Sequence, residues 1–133
     1  MSGFTLADAQ AEMLRLSRAI DAGIDFSKQN AIELADAEAA YRKAKAEAWV
    51  TCPNDDPSVP RGEREWTAAR REAWVDAHCA DLRRKRDLAE AMRDAAREAV
   101  RARQTQLSAW QTLVRAHQAE AEFVRTTPSW AAA

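Results

Sequence analysis

At 133 residues and 14.8 kDa the chain has the length of one domain. Only 3 Gly and 4 Pro, with alanine at nearly a quarter of the positions, exclude an all-β or α/β protein, which would need frequent turn residues and many β-branched or aromatic side chains. A net charge of −1 and a pI near 6.1 are unlike an autonomous nucleic-acid binder, so any DNA contact must come from a local basic patch.

Charged residues make up 31% of the chain and, with Ala and Leu, give the composition of long helices or coiled coils. The first predicted element runs from about residue 5 to about residue 50. Thr5 is its candidate N-cap, with Asp8 three residues on. Leu6, Met13, Ile20, Ser27, Leu34, Tyr41 and Ala48 recur every seven residues. Ala9, Leu16, Gly23, Asn30, Ala37 and Ala44 follow the first six by three, which completes an a/d heptad seam. Gly23, Ser27 and Asn30 weaken the middle of that seam, and Asp25 or Ser27 could cap a new helix, so a kink or short break is expected near residues 23–28.

A loop is predicted over 51–62, where Pro53, Pro57 and Pro60 remove backbone donors and bias the residues before them away from the helical region. From about 63 to about 125 there is no Gly or Pro, and one unbroken helix is expected. Val75, Leu82, Ala89 and Ala96 hold one heptad phase. Val100, Leu107, Val114 and Ala121 hold another, a shift that reads as a four-residue stutter. A tail, 126–133, closes a single helical domain. The fold class is therefore all-α, a long antiparallel hairpin of coiled-coil type.

The seam is rich in alanine, so helices approach closely but bury little apolar area per contact. A lone hairpin would be marginal. It also leaves one side open beside Trp49, Trp66, Trp74 and Trp110. A homo-oligomer is expected, most simply a dimer forming a four-helix bundle, or else docking on a larger protein partner.

Arg83-Arg84-Lys85-Arg86 is the sharpest functional signal, a candidate phosphate-binding run for nucleic acid. Further along, Arg93, Arg97 and Arg101 form an i, i+4 stripe. Glu90, Asp94 and Glu98 each precede one of them by three residues, so that face reads as solvated ion pairs. The spacing of Leu107, Trp110 and Val114 is that of a helical core, while Leu107 and Trp110 also stand as candidate protein-contact residues. Trp130 follows Pro128 in the tail and is a candidate docking residue, with tail disorder as the alternative.

Cys52 and Cys79 are too few for a disulfide framework and are expected to remain thiols in a reducing compartment. His78 and Cys79, adjacent on a helix, point apart, and His117 lies far along it, so no zinc site is expected. Glu33, Asp36 and Glu38 read as solvated surface. There is no Gly-rich phosphate loop, no H-E-x-x-H and no nucleophile, base and acid arrangement. The chain is expected to be non-enzymatic, without a cofactor or small-molecule substrate. No run approaches the roughly 18 apolar residues of a membrane span, and no signal-peptide pattern opens the chain. A cytoplasmic protein with no membrane partner is expected.

The segments Ala39-Ala40-Tyr41-Arg42-Lys43-Ala44-Lys45-Ala46-Glu47-Ala48-Trp49, Arg71-Glu72-Ala73-Trp74-Val75-Asp76-Ala77 and Arg103-Gln104-Thr105-Gln106-Leu107-Ser108-Ala109-Trp110-Gln111 resemble those of small helical proteins of tailed phages and prophages of actinobacteria. The resemblance spans roughly residues 30–125 and carries no active residues to transfer. Many such proteins are encoded among early replication and recombination genes. The resemblance therefore implies an accessory role in phage DNA metabolism, inside a bacterial host cell. Three readings stay open: an accessory protein that binds a replication or recombination protein and touches single-stranded DNA, an interaction module that inhibits or adapts a host or phage protein, and a virion or assembly component.

Overall fold

The computed structural model describes residues 5–53 and 67–127, which hold three helices and no strand. Helix α1 spans Leu6–Thr51, α2 spans Ala68–His78 and α3 spans Ala80–Thr126. Each start and stop has a local cause. The Thr5 hydroxyl accepts from Asp8 N–H at 3.1 Å and its carbonyl accepts from Ala9 N–H at 3.1 Å, the N-cap expected from the sequence. Thr67 does the same for α2, accepting from Arg70 N–H at 3.2 Å. At the far ends, threonine hydroxyls reach back to carbonyls of the last turn and add a second hydrogen bond there. Thr51 Oγ1 donates to Glu47 O at 2.9 Å and Thr127 Oγ1 to Phe123 O at 2.7 Å. No glycine cap is needed at either end.

The residues fall into two compact units, Lys28–Ala95 and Met1–Ser27 with Ala96–Ala133. In the first, Tyr41, Ala48, Val75 and Cys79 form a buried cluster, with Ala44, Trp49, Trp74 and Leu82 packed against it. Trp74 also stacks on His78, ring centroids 4.9 Å apart and planes 13° from parallel. In the second, Ala9, Leu16, Ile20, Ala96 and Val100 are buried. In the unit Lys28–Ala95 the late part of α1 meets the early part of the chain that follows it, and in the other unit the early part of α1 meets the late part of α3, the antiparallel order of a helical hairpin.

All thirteen seam positions read in α1 are buried or half-buried. The expected short break is absent, since α1 is one continuous helix through 23–28. Gly23 serves packing instead: a Cβ there would lie 2.9 Å from Val100 Cγ2 and 3.4 Å from Arg103 Nη1. The missing side chain lets α3 come close, and the helix does not have to break. Asn30, also on the seam, is 3% exposed.

Two further expectations change. The second block does not run unbroken from residue 63. Its described helix begins at Ala68, and Cys79, at φ −104° and ψ 11°, separates α2 from α3. Cys79 N–H still bonds Val75 O and Arg83 N–H bonds Cys79 O, both at 3.0 Å, so the interruption is one residue deep. Nor is there a stutter. Val75, Cys79, Leu82, Arg86, Ala89, Arg93, Ala96, Val100, Arg103, Leu107, Trp110 and Val114 are all sheltered, at strictly alternating spacings of four and three. This is one continuous heptad in which apolar residues pass from one seam position to the other, and arginines fill the vacated places. Ala121, expected on the seam, is exposed.

Thr51 ends α1 and Thr126 ends α3, so most of the expected loop and tail, with Trp66 and Trp130, lies outside the described residues. No described helix is long and apolar enough to cross a membrane.

Candidate functional site

Four consecutive residues on a helix point in four directions, each turned by about 100° from the last. The basic run 83–86 is accordingly divided. Arg83 and Arg84 are exposed, Arg83 on the flank of the seam and Arg84 opposite it. Arg84 Nη2 donates to Asp81 Oδ1 at 3.2 Å, a pair so open to water that it contributes little and can be exchanged for another anion. Lys85, also exposed, stands at the rim of a groove described below.

Arg86 occupies a seam position and turns inward. Its guanidinium lies 4.7 Å from the centroid of the buried Tyr41 ring, while Nε and Nη2 donate to Asp87 Oδ1 at 3.1 and 2.8 Å. That hydrogen bond, more than the nearby charges of Asp87, Tyr41 and Glu90, holds Arg86 above its ordinary pKa. Lys45 Nζ lies 6.0 Å from the same ring. One aromatic ring therefore serves two cations.

A second cation clamps the end of α1. Arg71, from the first turns of α2, donates through Nη2 to Trp49 O at 2.8 Å and stacks over the Trp49 ring at 5.0 Å. Trp49 O is among the last carbonyls of α1, which have no partner within the helix. Neither the Arg86 nor the Arg71 contact is visible in the charge pattern. The first could have been found by stepping back in sevens from Val100, Leu107 and Val114, which leads to Arg93, Arg86 and Cys79. The second has no sequence signal.

The arginine stripe is a solvated face only in part: Arg97 and Arg101 are exposed, whereas Arg93 is half-buried on the seam and pairs with the next residue and not with Glu90. Arg93 pairs with Asp94 at 3.2 Å and Arg101 with Glu98 at 3.8 Å. Leu107 and Trp110 are half-buried on the seam, as core spacing requires. Trp130 lies outside the described residues.

The groove belongs to the unit Lys28–Ala95 and measures about 570 Å³. Glu33 and Asp36 rim it on α1 and Lys85 on α3, over a floor of Ala37, Ala40, Leu88, Ala89 and Met92. Cys52 and Cys79 are free thiols and both buried. Among the described residues no three His, Cys, Asp or Glu side chains converge as a metal site. The chain matches no protein-family model, no curated protein and no solved structure.

Proposed function

We propose that this chain is a non-enzymatic, phage-type accessory protein that works as a homo-oligomer, binds a DNA replication or recombination protein, and touches single-stranded DNA through the outward part of its basic run. The observation that carries the DNA contact is the exposure of the consecutive Arg83 and Arg84 on α3, with Arg84 paired to an almost fully solvated aspartate. Lys85 flanks them, and Arg86 acts as a structural residue through Tyr41.

The test is fluorescence anisotropy of labelled single-stranded DNA at low and at near-physiological salt. Binding should weaken as salt rises. In the Arg83→Gln/Arg84→Gln variant the slope of log K against log salt should fall by about 1.4, at about 0.7 per lost phosphate contact. An unchanged slope would remove these two residues from the interface. Absence of binding at low salt would leave a protein partner alone.

A second reading, an interaction module that inhibits or adapts another protein, is favoured by a different observation. Phe123 and Val124, at 68% and 69% exposed, stand at the end of α3 just before the tail that carries Trp130. Loss of a captured partner on truncation after Arg125 would support it.

A further inference from the structure

We infer that the groove between Glu33, Asp36 and Lys85 is a self-association face, on which a second copy of this chain packs about a two-fold axis running parallel to the helices. This rests on the homo-oligomer reading above and specifies its surface and geometry.

The groove carries its own complement. Its α1 rim is acidic, with Glu33 and Asp36, and its α3 rim is basic, with Lys85. Between them the floor is alanine with Leu88 and Met92, which are 61% and 43% exposed. Large apolar side chains left this open beside small ones can interdigitate with a copy of the same surface.

A two-fold axis lying in the plane of this face can run along the helices or across them. Across them, α1 lies over α1, and Glu33 and Asp36 meet their own copies, like charge against like. Along them, α1 of one copy lies over α3 of the other. Lys85 of the second copy then reaches the acidic rim, Leu88 of the second copy covers Ala37, and every neighbouring helix pair is antiparallel, as in an up-and-down four-helix bundle. Charge selects the second arrangement, because juxtaposed like charges are costly and opposite ones fix the register.

The area is sufficient. The α1 part of this unit is about 36 Å long, and two helices side by side are about 20 Å wide, so each copy offers about 700 Å². The total of about 1,400 Å² lies within the 1,200 to 2,000 Å² of stable interfaces. The face also adds what the hairpin lacks, since among the described residues four of the twelve buried apolar side chains are alanines, Ala9, Ala37, Ala48 and Ala96.

Sedimentation equilibrium of the full chain across micromolar concentrations tests this. The wild type should give twice the 14.8 kDa chain mass. Lys85→Glu, and separately Leu88→Glu, should raise the dimer dissociation constant about tenfold or more with helicity unchanged, since both side chains are exposed. Combining Lys85→Glu with Glu33→Lys and Asp36→Lys should restore the dimer. A wild type that stays monomeric would overturn both the oligomer reading and this face. A dimer indifferent to Lys85→Glu and Leu88→Glu would overturn the face alone.

Discussion

The two units of this hairpin follow the same seven-residue repeat and fill it by different means. In Lys28–Ala95 the seam is built from volume and cation contacts: Tyr41 lies under Arg86 and near Lys45, Trp49 under Arg71, and Val75 is completely enclosed. In Met1–Ser27 with Ala96–Ala133 it is built from aliphatic side chains and one close approach, with Leu16 and Ile20 buried beside Ala9 and Ala96, and Val100 set against the bare backbone of Gly23. A heptad pattern fixes which positions face inward. It does not fix how the space is filled, and a ring with a guanidinium tolerates a different set of changes from a glycine facing a valine.

Removing the largest buried groups should separate the two modes most clearly. Tyr41→Ala deletes a buried ring and the platform for two cations, and should cost about 3 to 5 kcal/mol. Leu16→Ala deletes a fully buried aliphatic side chain from the other unit and should cost about 2 to 4 kcal/mol, the smaller loss of the two. Urea unfolding monitored by helicity reads both. Equal or reversed losses would break the contrast.

Gly23→Ala sharpens it further. On an ordinary helix surface this change gains about 1 kcal/mol from helix propensity. Here the new methyl meets Val100 Cγ2 at 2.9 Å, both atoms sit on packed helices, and overpacking of this kind costs about 1 to 3 kcal/mol. A net loss of about 1 kcal/mol is expected. In a Val100→Ala background the same substitution should become neutral or stabilising, and the thermal midpoints of the four proteins measure the reversal.

The inward faces of both long helices were legible from spacing, because every residue at the α1 seam positions is sheltered regardless of its chemistry. The Thr5 cap was legible for the same local reason. Gly23, Ser27 and Asn30 suggested a kink or short break because sequence alone does not tell a glycine that relaxes a helix from one that admits a neighbour, a distinction that Val100 decides from another helix. The apparent stutter had a similar origin. Arginine at 86 and 93 hid the seam because its charge reads as surface, whereas its long apolar stem and flat guanidinium pack well over an aromatic ring. The break at Cys79 lies in a stretch without Gly or Pro and left no trace in composition. Among the basic residues singled out for function, Arg83 and Arg84 remain outward, while Lys85 turns to the groove and Arg86 to the seam.

That arginine can be a seam residue is the central claim of this account, and a double-mutant cycle between Tyr41 and Arg86 tests it most directly. With Tyr41→Leu and Arg86→Gln made singly and together, and stability read from urea unfolding, the double variant is predicted to lose less than the sum of the two single losses, a coupling in favour of the native pair. Strictly additive losses, with no coupling beyond measurement error, would mean that Arg86 only borders the hairpin and that the continuous heptad is not held there by the arginine.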